Sequence, residues 1–64
     1  MDWDKLRIFH AVADAGSLTH AGDTLHLSQS AVSRQIRALE RDTGSRLIEV
    51  QGRKVRLTPD GALL

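Results

Sequence analysis

No cysteine occurs among the 64 residues, so neither a disulfide nor a thiolate-held metal can brace the fold. No apolar run approaches the roughly 20 residues that a membrane-spanning helix needs. A positively charged start leading into an apolar stretch, the mark of a secretory signal, is also missing. These absences set the expectation of a soluble, unsecreted protein in a reducing, intracellular setting, with no membrane as partner. A chain of this length has room for one domain with one modest core, burying about 60% of its unfolded surface. Its stability must therefore come from close helix packing. No internal repeat, low-complexity linker or second domain is visible.

Net charge is small, at +1, but it is divided unevenly. Residues 1–27 carry two basic groups, Lys5 and Arg7, against four acidic ones, Asp2, Asp4, Asp14 and Asp23, a net of −2. Residues 28–58 carry seven basic groups (Arg34, Arg37, Arg41, Arg46, Arg53, Lys54, Arg56) against three acidic ones (Glu40, Asp42, Glu49), a net of +4. Such a segment either faces a polyanion or forms a solvated arginine-rich face, and charge alone leaves both readings open.

Helical spacing dominates the first two thirds. From Asp4 to Ala15, the apolar positions Leu6, Phe9, Val12 and Ala13 recur every three or four residues, with Trp3 and Ile8 widening the stripe. Asp2 or Asp4 suits the N-cap, and Gly16 suits the left-handed residue that ends such a helix. Ser17 can cap a short second helix with Leu18, Ala21, Gly22 and Leu25 on one face, small residues that permit a close crossing. Ser28 caps a third, whose stripe of Ala31, Val32, Ile36 and Leu39 runs up to Thr43 and Gly44. Only His26 and Leu27 separate the two.

After Gly44 the spacing changes to short β-prone runs, Leu47 to Gln51 and Lys54 to Thr58, which read as a hairpin turning at Gly52-Arg53. In the second strand Val55 and Leu57 alternate with Lys54, Arg56 and Thr58, predicting one buried face and one basic, wet face. Thr58 followed by Pro59 is a start signal for a fourth helix. A helix that short is not stable alone. The expectation is that Leu63 and Leu64 begin a segment that packs on something outside the chain; the competing reading is a Pro-Asp-Gly turn with a frayed tail. The fold class expected is mainly α with a small β-hairpin: three helices, a two-stranded wing and the start of a fourth helix.

Two short helices joined by a tight turn, the second with one apolar and one polar face, meet the requirements of a helix-turn-helix. At about 100° per residue, Val32, Ile36 and Leu39 cluster on one side of the third helix, while Gln29, Ser30, Ser33, Arg34 and Arg37 occupy an adjoining arc. These are residue types suited to a DNA groove: Gln can bond an adenine edge, Arg can bond guanine bidentately or grip phosphate, and Ser can do either without bulk. The N-terminal residues of the helix are placed to reach bases, with Arg37 on phosphate. Ser28 reads best as a cap. The Gly52-Arg53-Lys54 tip adds a second cationic point, suited to a minor groove or the adjacent backbone. Each feature has a plainer reading, as a solvated helix face or a soluble turn.

The residues also carry a resemblance. Leu6 to Phe9 with Val12-Ala13, Gly16-Ser17-Leu18-Thr19, the run from Leu25 through Ser28-Gln29-Ser30-Ala31-Val32-Ser33-Arg34-Gln35 to Ile36, Leu39-Glu40, and Gly52-Arg53-Lys54-Val55-Arg56-Leu57-Thr58 together resemble the N-terminal domain of LysR-type transcriptional regulators. The stretch from Leu27 to Ile36 is highly specific, the hairpin match is looser, and the likeness spans essentially the whole chain. It implies a winged helix-turn-helix over residues 1–58, with the motif at 18–37, a recognition helix at 28–42 in the major groove and a wing at 51–54 on the minor groove or backbone. Residues 59–64 would start a linker helix that pairs subunits. The implied function is sequence-specific binding of double-stranded DNA at a near-palindromic operator, by a homodimer or higher oligomer whose small-molecule effector binds a separate domain, in the bacterial cytoplasm at the nucleoid. Candidate DNA-contacting residues are Thr19, Ser28, Gln29, Ser30, Ser33, Arg34, Arg37, Arg53 and Lys54. Three positions depart from the family's usual residues: Ser30 stands where proline is usual, Ile48 replaces phenylalanine and Val50 replaces arginine. Ser30 is thus expected to read a base by hydrogen bond, and position 50 to contribute less to phosphate binding.

An enzymatic role would have to draw on His10, His20 and His26 with scattered carboxylates, whose spacing fits no metal-binding or catalytic arrangement. No enzyme activity and no cofactor is expected. The stronger rival is a winged helix used for protein contact, since a fold does not fix a function. The two part over salt, because a reader of phosphates loses affinity steeply as salt rises and an apolar protein contact does not.

Overall fold

The computed structural model describes residues 3–64. Its elements are α1 (Trp3–Ala15), α2 (Leu18–Leu25), α3 (Gln29–Thr43), β1 (Ile48–Gln51), β2 (Lys54–Leu57) and α4 (Pro59–Ala62). The helical junctions follow the local chemistry expected. Gly16 (φ 68°) and Gly44 (φ 73°) close α1 and α3 in the left-handed region. The Ser17 hydroxyl accepts from His20 N at 3.3 Å, and the Ser28 hydroxyl from Ala31 N at 3.1 Å, each satisfying an orphan donor of its helix. Of the two candidate caps for α1, Asp4 lies inside the helix as a first-turn acid, and Asp2 falls outside the described residues. The third helix runs one residue later at each end than the 28–42 expected, with Ser28 as its cap.

Ile8, Phe9 and Val12 of α1, Leu18 and Ala21 of α2, and Val32, Ile36 and Leu39 of α3 form the core with Leu47 and Ile48. Leu6, Ala15, Leu25 and Val55 pack at its edge. Trp3, expected on the buried stripe, is 81% exposed. It occupies the first position of α1, nearly a full turn ahead of Leu6, the first residue of that helix packed against the core.

The turn between α2 and α3 is tighter than its sequence advertises. His26 takes the left-handed conformation (φ 59°), which most side chains avoid, and Leu27 N donates back to Gly22 O at 2.8 Å. Gly22 is required by this return of the chain, because a β-carbon there would stand 2.6 Å from the Leu27 carbonyl oxygen. The small residue on the inner face of α2 therefore serves the turn as well as the helix crossing.

The hairpin pairs antiparallel with Ile48 opposite Leu57, Glu49 opposite Arg56, Val50 opposite Val55 and Gln51 opposite Lys54. The alternation places Ile48, Val50, Val55 and Leu57 on one face, as cross-strand neighbours must be. Burial does not follow that face evenly. Ile48 is buried and its partner Leu57 is 41% exposed, whereas Val55 is half-buried and its partner Val50 is 53% exposed. The core thus lies under β1 at the base of the hairpin and under β2 nearer the tip, so the ribbon crosses its support diagonally. Leu57, expected in the buried set, sits on the unsupported side. Thr58, expected on the wet face, is buried: its hydroxyl donates to Arg46 O and accepts from Gly61 N at 3.0 Å, so no polar capacity is left stranded. That second bond caps α4, which begins at Pro59 as the start signal predicts.

Candidate nucleic-acid interface

The apolar stripe of α3 holds its opposite face outward. Val32, Ile36 and Leu39 are at most 1% exposed, and this fixes the rotation of the helix about its axis. With successive residues about 100° apart, Gln29, Ser33, Arg37, Ser30 and Arg34 then fall in that order across an adjoining arc. Gln29, Ser30, Arg34 and Arg37 are exposed, and Ser33 is half-buried. None of the sequence-predicted reading residues points into the interior.

The hairpin lies along one flank of this arc. Gln29, Ser33 and Arg37 share a cleft of about 290 Å³ with Arg46, Ile48 and Val50, so the polar arc and the first wing strand line one surface. Thr19, Gln29 and Arg53 meet around a second cleft of about 200 Å³, closed by Leu18 and Val50. Arg53 also borders the first turn of α2, beside Ser17, Thr19, His20 and Asp23. Thr19, Gln29 and Arg53, far apart in sequence, are thereby brought together, and a backbone bond from Val55 N to Gly16 O at 2.9 Å holds the wing there. Lys54 is exposed on the wing and borders neither cleft; Ser30 and Arg34 stand clear of both on the open side of α3. Ser28 spends its hydroxyl on the helix cap.

The arginine-rich segment extends the basic face past the polar arc. Arg37, Arg41 and Arg46 surround a shallow depression at the end of α3, with Gly44 and Ser45 at its rim. Arg46 was not among the sequence-predicted site residues. The signal for it was the run of cations after Ser28, but its placement depends on the Gly44 cap, which turns the chain back toward Arg37. Among the described residues, no three His, Asp or Glu side chains gather as a metal site requires. His10 contacts the Leu64 carbonyl oxygen at 3.1 Å. Also among the described residues, no helix is long and apolar enough to cross a membrane.

Comparison with known proteins gives concordant results. Residues 3–62 match the family model described as bacterial regulatory helix-turn-helix protein, lysR family. The chain is 50% identical over 64 residues to an uncharacterized HTH-type transcriptional regulator in the ibpB-leuC intergenic region of Azotobacter vinelandii, covering all of this chain and 44% of that protein. It is 48% identical over 61 residues to a probable RuBisCO transcriptional regulator of Synechocystis, covering 95% of this chain and 18% of that one. The chain therefore spans less than half the length of these relatives. Among solved structures it is similar to the CbnR DBD–DNA complex, with a TM-score of 0.94 and 41% identity over 98% of this chain and 72% of that one.

Proposed function

The chain belongs to the LysR family of bacterial regulatory helix-turn-helix proteins, and on that premise we propose that it binds double-stranded DNA sequence-specifically through α3 and the wing. The observation that carries this reading is the exposed polar arc from Gln29 to Arg37, held outward by the buried stripe behind it and flanked by the cations of the hairpin. In the proposed complex the N-terminal half of α3 enters the major groove, where Gln29, Ser30, Ser33 and Arg34 meet base edges. Arg37 lies against phosphate, Arg53 and Lys54 reach the minor groove or backbone beside it, and Thr19 approaches the duplex from the start of α2. Ser28 acts through the helix it caps.

Residues 1–58 form the DNA-binding unit in this reading, with the helix-turn-helix at 18–37, and residues 59–64 begin a linker helix. Pairing through that helix would place two copies of α3 in successive major grooves of a near-palindromic operator. Transcriptional control by a small-molecule effector, bound to a domain outside this chain, completes the proposal. The role is regulatory and not enzymatic, exercised in the bacterial cytoplasm at the nucleoid.

Salt separates this reading from a protein-contact module. Each phosphate neutralised contributes about −0.9 to the slope of log affinity against log salt concentration. Titrating a labelled duplex with the chain across a salt series should give a slope corresponding to several contacts. Lys54→Ala should weaken binding to all sequences alike and flatten the slope by about one contact. An affinity independent of salt, or a slope unchanged by Lys54→Ala, contradicts the proposed use of the wing.

A further inference from the structure

Three arginines gather where α3 gives way to the wing. Arg37, Arg41 and Arg46 are exposed around a shallow depression of about 560 Å³, with Glu40 as the one acid on its rim. Among the described residues, no carboxylate neutralises them. Glu40 stands three residues from Arg37, a pairing distance on a helix, yet its carboxylate accepts from Leu47 N at 2.9 Å, and that of Asp42 is paired with Lys5 at 3.1 Å. Arg37 and Arg41, one turn apart, repel each other when nothing lies between them. An anion seated among the three guanidinium groups relieves that repulsion.

The depression opens on the side of the polar arc. At about 100° per residue, Arg41 falls between Ser30 and Arg34, opposite the buried stripe of Val32, Ile36 and Leu39. The wing tip lies at the other end of α3, where Arg53 and Thr19 meet Gln29. Arg41 follows Gln29 by 12 residues, about 18 Å at about 1.5 Å per residue, whereas the major groove is about 12 Å wide. A helix that meets base edges with its first turn and lies across the groove therefore carries Arg41 and Arg46 to the rim, where the phosphates are.

We propose that Arg41 and Arg46, together with Arg37, form a clamp for backbone phosphate at the C-terminal end of α3, gripping the strand across the major groove from the one met by the wing tip. The reading arc is then bracketed by a phosphate contact at each end, which fixes the angle of α3 in the groove. The inference rests on the proposed entry of α3 into DNA and adds two contacting residues to it.

The test uses a duplex of about 20 base pairs, two turns of DNA, selected by the wild-type chain from a random pool. Arg41→Gln with Arg46→Gln should weaken binding about tenfold or more at about 0.1 M salt, leaving the ratio between the selected duplex and its single-base variants unchanged. The slope of log affinity against log salt should flatten by about 1.8, two contacts at about 0.9 each. Arg41→Lys with Arg46→Lys keeps both charges and should keep most of the slope. Arg7→Gln removes an exposed charge from the outer side of α1 and should leave the slope unchanged, since salt screens charges more than about 10 Å apart. Single neutral methylphosphonates in the duplex locate the contact. At one or two positions they should weaken the wild-type chain and not the double glutamine variant, and those positions should lie across the major groove from the ones that Arg53→Ala renders insensitive.

An unchanged slope in the double glutamine variant overturns the proposal, as does a loss no larger than that of Arg7→Gln. Methylphosphonates that weaken both chains equally at every position, or sensitive positions on the same strand as those of the wing, overturn it too. So does loss of helical circular dichroism in the double glutamine variant, since the arginines would then hold α3 instead of DNA. A wild-type chain that binds the duplex without salt dependence would instead remove the underlying DNA reading, a distinct and separately visible result.

Discussion

Replacing Phe9 with alanine is expected to remove a large part of the chain's stability and to lower its unfolding midpoint sharply. Phe9 is the only phenylalanine and is 1% exposed in a core shared by α1, α2, α3 and the start of the hairpin. Truncating a buried phenylalanine costs about 3–5 kcal/mol, through lost transfer energy and the cavity left behind. A domain of 64 residues at about 0.05–0.15 kcal/mol per residue has only about 3–10 kcal/mol to lose. Without a disulfide the chain has no covalent reserve. Trp3→Ala is the matched control: the larger aromatic is 81% exposed, and its loss should change stability by no more than about 0.5 kcal/mol. Urea unfolding followed by circular dichroism measures both. A Phe9→Ala midpoint close to wild type, or a Trp3→Ala loss as large as that of Phe9→Ala, would contradict the core described.

Arg34→Ala is expected to cost about 1–3 kcal/mol of binding to the selected duplex, a factor of about 5–150 in Kd. Discrimination should be lost at one base pair while preference elsewhere is kept. The argument is geometric. Arg34 is exposed on the open side of α3, away from the core stripe, so its removal leaves the fold intact and acts on binding alone. Its guanidinium can present two parallel donors to guanine O6 and N7, a geometry that a lysine ammonium cannot match. Arg34→Lys should therefore keep most of the affinity for random duplexes and still lose the single-base preference. Affinities for the selected duplex and its single-base variants decide the matter. A uniform loss across all variants would move Arg34 from base reading to phosphate.

The helices and their caps were legible because each is a local event. Ser17, Ser28, Gly16 and Gly44 act within one turn of their own positions, and the stripes of α1 and α3 repeat often enough to fix a face. The outward arc was legible for the same reason: once Val32, Ile36 and Leu39 point inward, the residues from Gln29 to Arg34 have nowhere else to go. What escaped the sequence is non-local. Thr58 reads as a wet strand residue by alternation, and only the approach of Arg46 and Gly61 gives its hydroxyl two partners and buries it. Leu57 has the right parity for burial, but the hairpin crosses its support diagonally and leaves it outside. Trp3 matched the stripe of α1 in spacing, yet the core does not extend to the first residue of the helix. His26 carries no mark of a left-handed residue; the return of Leu27 N to Gly22 O puts it there. The bond from Glu40 to Leu47 belongs to the same class, since a mid-helix glutamate looks solvated until the following loop folds back over it.

The central claim is that the outward face of α3, with the wing beside it, is the surface that enters DNA. Titrating the isotope-labelled chain with the selected duplex and following every backbone amide by NMR tests it most directly. Signals from Gln29 to Arg37, around Thr19 and from Gly52 to Lys54 should shift strongly, while those on the outer side of α1 stay near their free positions. Shifts centred on α1 and α4, with the α3 amides unmoved, would contradict the account.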